Sequence, residues 1–326
     1  MTGRERFACI VGAPRCGTTS LARYLKEHPK VRFSRIKEPH FFSQLELNGQ
    51  SDEALRLLVE REYLDRYFKD RTEAELLAEG SVSYLYAAER IEPVLRLWPD
   101  ARFIIGVRNP LDMVPSLHRR LLFTGDETIS DFEEAWDLME ERRQGRQVPL
   151  SCVDPRMLDY EAVGSVGKHA AQFVEAVGAE RCLFVVFDDF VSDPAGQYRR
   201  VLDFLSLPDD GRGSFKVHRP SKQSRIGWLQ RALMRPPHAM RAHFAEPRYG
   251  PQVTSGRAGL PKRVRKFVRK TRKRLLIWNS APAEITEVSE RMRQILRETF
   301  ANDVAQLGRL VGRDLSHWLD GPPLKK

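Results

Sequence analysis

Cysteine is scarce in this chain, and long apolar runs are absent. Four cysteines stand among 326 residues, at Cys9, Cys16, Cys152 and Cys182, without metal-ligand spacing. That pattern gives no reason to expect a metal site. Cys9 and Cys182 lie in apolar runs, as buried thiols of a reducing compartment would. No window approaches the ~20 apolar residues of a membrane span. The first apolar run, FACIV, starts at residue 7, which leaves no room for the charged and apolar regions of a signal peptide. The expectation is a soluble, cytoplasmic protein. Acidic residues are missing from one stretch: 257–274, RAGLPKRVRKFVRKTRKR, holds ten Lys or Arg and no acid. It carries the whole net charge of +10. Its apolar residues fall near one helical face, so it reads either as a solvated helix or as a contact for an anionic membrane surface or acidic polymer. No nucleic-acid-binding motif accompanies it.

The remainder alternates between two periodicities. FACIV at 7–11, RFIIGV at 102–107, CLFVVF at 182–187 and the shorter LLAEGS at 76–81 read as buried strands. Helical spacing covers 18–28, 55–68, 89–97, 131–143, 165–177 and 195–205, with 284–310 the longest stretch. Strands alternating with helices predict an α/β fold with a central parallel sheet flanked by helices and a helical C-terminal part. Residues 206–262 are rich in Pro, Gly, Ser and Arg, and are expected to form an irregular region able to fold over a site.

Between the first strand and the first helix lies GAPRCGTTS, 12–20. Gly12 and Gly17 allow tight turns, and the helix start presents N–H groups to an anion. Arg15 adds a fixed charge; Thr18, Thr19 and Ser20 add hydroxyls. The loop is similar to a Walker A loop, yet Thr18 stands where the lysine belongs, and Arg108 rather than a magnesium-binding carboxylate follows the 102–107 run. An anion site is expected; a kinase or NTPase is the weaker alternative.

The stretch 9–20 resembles the phosphosulfate loop of the sulfotransferases that use 3′-phosphoadenosine-5′-phosphosulfate (PAPS). KEPHFF at 37–42 resembles that family's E-x-H-F-F element, found in heparan-type and related bacterial members. FIIGVRNPLDMVPSL at 103–117 resembles its 3′-phosphate element, with Arg108 and Ser116 eight residues apart. VVFDDFVSDP at 185–194 and the C-terminal FANDVAQLGRLVGRDLSHWL resemble later elements. The resemblance implies a P-loop-like three-layer fold in one domain, 1–326. It also implies sulfonate transfer from PAPS to a hydroxyl or amine, without a metal, releasing adenosine 3′,5′-bisphosphate. Arg15, Cys16, Gly17, Thr18, Thr19 and Ser20 would hold the 5′ end, and Arg108 and Ser116 the 3′-phosphate. Ser221, Lys222 and Arg225, in VHRPSKQSR at 217–225, lie where the family places a basic segment closing over the donor.

Glu38 would be the general base, with Lys37 and His40 toward the acceptor. His40 is a rival base or a structural imidazole. Heparan-type likeness favours a glycan or glycolipid acceptor. The pattern breaks at 79–84, EGSVSY, where Gly80 replaces the family's lysine and Val82 its proline. Arg90, Lys222 or Arg225 are the expected substitutes. A third reading, from another class, is a non-catalytic protein that binds anionic membranes through 257–274.

Overall fold

Buried runs of aromatic and aliphatic residues line up side by side as five parallel strands. The computed structural model describes residues 6–71, 74–216, 222–235, 262–282 and 288–320. The strands are β1 (Arg6–Ile10), β2 (Val31–Phe33), β3 (Leu76–Glu79), β4 (Arg102–Val107) and β5 (Cys182–Val186), in spatial order β2-β3-β1-β4-β5. In register, Cys9 stands between Glu79 and Phe103.

Side chains alternate across the sheet, as strand geometry requires. Ala8, Ile10, Val31, Phe33, Ala78, Ile104 and Val185 share one cluster with Leu21, Leu25, Val201 and Leu202 from the helices Thr18–Glu27 and Pro194–Phe204. On the other face, Phe7 stacks on Trp98 at 4.5 Å, and Phe103 meets Phe173 of the helix Val166–Val177 edge-on. These are the three layers that the sequence predicts.

The predicted strands form within a residue or two of their expected bounds. The 55–68 helix begins earlier, at Asp52, under a Ser51 cap, and passes through a wide turn at Glu60–Leu64. The 131–143 pattern divides into Phe132–Asp137 and Met139–Arg143. β2 was not legible, because three residues with Arg32 in the middle carry no period. After Arg108 the chain enters the helix Pro110–Thr124, which accommodates Pro115 in its interior.

Contacts along the chain group the residues into two compact units. The first comprises Met1–Met113, Ser165–His218 and Thr299–Lys326, and contains the sheet. The second comprises Val114–Gly164 and Arg219–Glu298. Its centre is ionic. Arg142 donates to both carboxylate oxygens of buried Glu127, at 2.7 and 2.9 Å, and the Tyr160 hydroxyl donates at 2.7 Å. The second unit also contains a two-stranded antiparallel ribbon, β6 (Lys222–Ser224) and β7 (Ser280–Pro282), and the helices Gly227–Met234 and Lys262–Trp278. The stretch expected to be irregular, 206–262, therefore includes a strand and a helix. Its parts 217–221 and 236–261 lie outside the described residues.

Candidate active site

The strand order fixes where a ligand can enter. After β3 the chain crosses from one side of β1 to the other to form β4. The switch point lies between β1 and β4, and open α/β sheets bind ligands beyond the C-terminal ends of the strands at such points. The two loops that begin there are those of Arg15 and Arg108.

The loop after β1 is packed hard against β4. A Cβ on Gly12 would lie 2.1 Å from the Gly106 backbone nitrogen, so neither side can carry bulk at Gly12. Ala13 N–H donates to the Gly106 carbonyl at 2.9 Å. Arg15 and Gly17 both adopt left-handed backbone, with φ of 68° and 74°. Turns of this kind aim successive N–H groups to one side. Gly17 is the N-cap of the helix Thr18–Glu27 and offers it no side-chain cap. Ser20 N–H bonds back to the Gly17 carbonyl at 2.9 Å, while the N–H groups of Thr18 and Thr19 precede the first bond of the helix, so the site presents donors and a dipole suited to an anion. Cys16 is buried, and burial pushes its thiol up to about 12. That burial and raised pKa suit a small packing residue rather than an acidic thiol at the helix start.

Arg108 leaves β4 directly beside this loop. Its Nη1 donates to the Arg15 carbonyl at 3.2 Å, and its guanidinium lies 4.4 Å from the centre of the Phe187 ring. Asp112 Oδ2 stands 3.9 Å from Nη2. This Arg108–Asp112 pair is not on the surface: Arg108 is 6 % exposed. Its Nε is buried with no acceptor among the described residues, and a buried unsatisfied donor needs explaining.

The loop after β2 supplies the third component. Lys37 Nζ contacts Glu38 Oε1 at 2.5 Å and Thr18 Oγ1 at 3.3 Å. His40 Nε2 lies 3.7 Å from Glu38 Oε2. Burial raises the pKa of Glu38, but His40 and the Lys37 ammonium outweigh it and hold the carboxyl at about 2. His40 takes left-handed backbone, φ 54°, held by its N–H to Ser81 Oγ at 2.8 Å and its Nδ1 to Ser83 Oγ at 2.5 Å. Those bonds favour the structural imidazole over the rival base. Phe41 and Phe42 pack against Tyr63. Beneath lies Glu79, fully buried, which accepts hydroxyl bonds from Tyr63, Tyr84 and Ser81. Burial raises its pKa.

Gly80 lies against this arrangement. A Cβ there would be 3.6 Å from Lys37 Cγ, so the Lys37 stem lies alongside the position that lacks a side chain. Arg90, offered as a substitute cation, is engaged elsewhere, donating to the Ser43 carbonyl at 3.1 Å.

The first unit thus brings together Arg15, Cys16, Gly17, Thr18, Thr19, Ser20, Lys37, Glu38, His40 and Arg108. Ser116, on the helix Pro110–Thr124, is buried and belongs to the second unit, as do Lys222 in β6 and exposed Arg225. Ser221 lies outside the described residues. Sequence reasoning missed Phe187 beneath Arg108, and missed how the C-terminus braces the loops. The Trp318 indole donates to Asp188 at 2.9 Å, while Asn109 donates to the Trp318 carbonyl at 2.9 Å. The adjacent aspartates and phenylalanines of FDDF were the available signal. Among the described residues, no group of three His, Cys, Asp or Glu could hold a metal ion, and no helix is long and apolar enough to cross a membrane.

Comparisons with known proteins agree on one family. The model of the Sulfotransferase family matches residues 8–211. Human heparan sulfate glucosamine 3-O-sulfotransferase 6 is 29% identical over 211 residues, 63% of this chain and 54% of that protein. Mouse heparan sulfate glucosamine 3-O-sulfotransferase 3B1 is 28% identical over 200 residues, 61% of this chain and 46% of that protein. The chain spans about half the length of the curated relatives it matches. Among solved structures, a sulfotransferase from Alicyclobacillus acidocaldarius superposes with a TM-score of 0.61 at 25% identity, covering 95% of this chain and 97% of that one.

Proposed function

The chain belongs to the sulfotransferase family, and from that premise we propose that it transfers the sulfonate of PAPS to a hydroxyl or amine of a carbohydrate or glycolipid. The observation that carries the reading is the meeting of two cationic loops: buried Arg108 bonds the backbone of Arg15, while Lys37, paired with Glu38, reaches Thr18 of the same loop. A donor with an anionic group at each end needs two neighbouring anion sites, and a reactive tip needs a base beside it. The Arg15–Ser20 loop would hold the 5′ end. Arg108, whose Nε lacks an acceptor, would bind the 3′-phosphate; Ser116, Ser221, Lys222 and Arg225 are the further donor contacts that the resemblance in sequence implies.

In this reading Glu38 takes the proton of the attacking hydroxyl as its oxygen bonds to sulfur. The bond between sulfur and the bridging phosphate oxygen breaks, and adenosine 3′,5′-bisphosphate leaves. Arg15 and the N–H groups at the start of the helix stabilise the charge that develops on that oxygen. Lys37 supplies the cation that the family pattern expects at Gly80. Paired with Glu38 before the donor arrives, it moves its charge toward the sulfonate afterwards, which frees the carboxylate to act as a stronger base. The heparan sulfate relatives support a glycan acceptor. We read 1–326 as one functional domain, since the family match at 8–211 draws residues from both units.

Calorimetric titration with adenosine 3′,5′-bisphosphate in EDTA tests the donor site. Incubation with PAPS and a glycan panel, read by the mass gain of one sulfonate, tests the reaction. Binding without magnesium is expected. Magnesium-dependent ATP binding with no bisphosphate affinity would restore the NTPase alternative.

A further inference from the structure

The basic helix of the second unit has an exposed apolar ridge that the transfer reaction does not use. Along Lys262–Trp278, Val264, Phe267, Thr271, Leu275 and Trp278 recur at intervals of three and four residues, which places them on one face. All five are exposed, with Phe267 at 69% and Trp278 at 54%. Ile277 and, on the helix Gly227–Met234, Trp228 are exposed as well. The side of the helix turned to its own unit is a different one: Val268, Arg272 and Leu276 are half-buried, and Arg272 Nε donates to the Leu233 carbonyl at 2.7 Å.

Cations border the exposed ridge. Arg263, Lys266, Lys270, Lys273 and Arg274 run beside it, all exposed, and the helix contains no acid. Among the described residues none of the five takes part in a salt bridge. A solvated helix accounts for the charges, but not for a Phe and a Trp aligned on the same water-facing stripe. A soluble polyanion accounts for the charges only, because it gives the ridge nothing apolar to enter. An anionic bilayer surface satisfies both: the apolar stripe enters the boundary between headgroups and acyl chains, while the flanking cations meet lipid phosphates.

We propose that the helix Lys262–Trp278 docks this protein on anionic lipid surfaces, Val264, Phe267, Leu275 and Trp278 inserting and Arg263, Lys266, Lys270, Lys273 and Arg274 binding headgroups. The test is sedimentation of the full chain with vesicles of phosphatidylglycerol and phosphatidylcholine, against phosphatidylcholine alone, across salt concentrations. The wild type sediments with the anionic vesicles only and is released by salt. K266Q/K270Q binds about thirtyfold more weakly, at the usual contribution of each cation near a charged membrane. F267S/W278S loses binding while its far-UV circular dichroism is unchanged; if that variant unfolds, K266Q/K270Q and the lipid series still decide. No sedimentation of the wild type, equal sedimentation of F267S/W278S, or capture by soluble heparin without vesicle binding would each overturn the proposal.

Discussion

Lys37 and Glu38 are neighbours in sequence, yet their chemistry depends on a third residue, Thr18, nineteen positions earlier in the chain. A carboxyl held at about 2 is ionised throughout the working range, but it is a weak base while its lysine stays attached. The base must be ionised to act, so activity is lost as pH falls through its pKa. Wild-type kcat/KM should therefore stay level down to about pH 4. His40 and Lys37 together depress the pKa; K37M removes the second of them, and its acid limb should rise part of the way toward the ordinary carboxylate value of about 4.3. A K37M profile as flat as the wild type's would show that Lys37 does not set the state of Glu38. E38A should lower kcat by about two to four powers of ten and leave bisphosphate affinity in place, as measured by steady-state kinetics beside calorimetry. R108A should instead weaken the bisphosphate by about tenfold to a hundredfold, since it removes a charged hydrogen-bond partner worth about 1.5–3 kcal/mol. The residue types in this site were legible because KEPHFF and GAPRCGTTS stand out as strings. The burial of Cys16, which raises its thiol pKa, was not legible: the neighbours that exclude water from it come from other parts of the chain.

At the level of elements, the site depends on how closely β1 and β4 approach. Gly12 is the point where a side chain has no room, and the atoms in the way are backbone of Gly106 rather than a movable side chain. G12A should destabilise the chain by more than about 3 kcal/mol, read by urea unfolding, since overpacking against main chain has no cheap relaxation. Below the Glu38 loop, E79A would leave the hydroxyls of Tyr63, Tyr84 and Ser81 without their buried acceptor. A cost of about 2–4 kcal/mol is expected in the same assay. β1, β3 and β4 were readable because each is a mostly apolar run buried on both faces, and β5, half-buried over its first three residues, because its run is apolar throughout. β2 was not, because a three-residue strand gains its identity from pairing with β3 and not from its own pattern. The helix Pro110–Thr124 has no counterpart among the expected helical stretches, because Pro110 and Pro115 look like breaks. Pro110 instead supplies a favourable first helical residue, and Pro115 is accommodated further along.

For the molecule as a whole, a donor-site ligand should act as a fastener. Adenosine 3′,5′-bisphosphate at a hundred times its Kd should add about 2.7 kcal/mol to the stability of the part it binds. Differential scanning fluorimetry should show that upward shift equally in EDTA and in magnesium; a shift that requires magnesium would contradict the proposed donor chemistry. The parallel sheet flanked by helices, the glycine-bounded loop after its first strand and the family itself followed from the sequence, because periodicity, glycine spacing and short motifs are properties of neighbouring residues. Only the tertiary structure decided that Arg108 is buried against Arg15, that Lys37 lies beside Gly80, that Trp318 braces Asp188, and that Phe267 and Trp278 are left facing water. The physical reason is the same in each case. Burial and electrostatic partnership are set by residues distant in the chain, and no local pattern records which of them will meet.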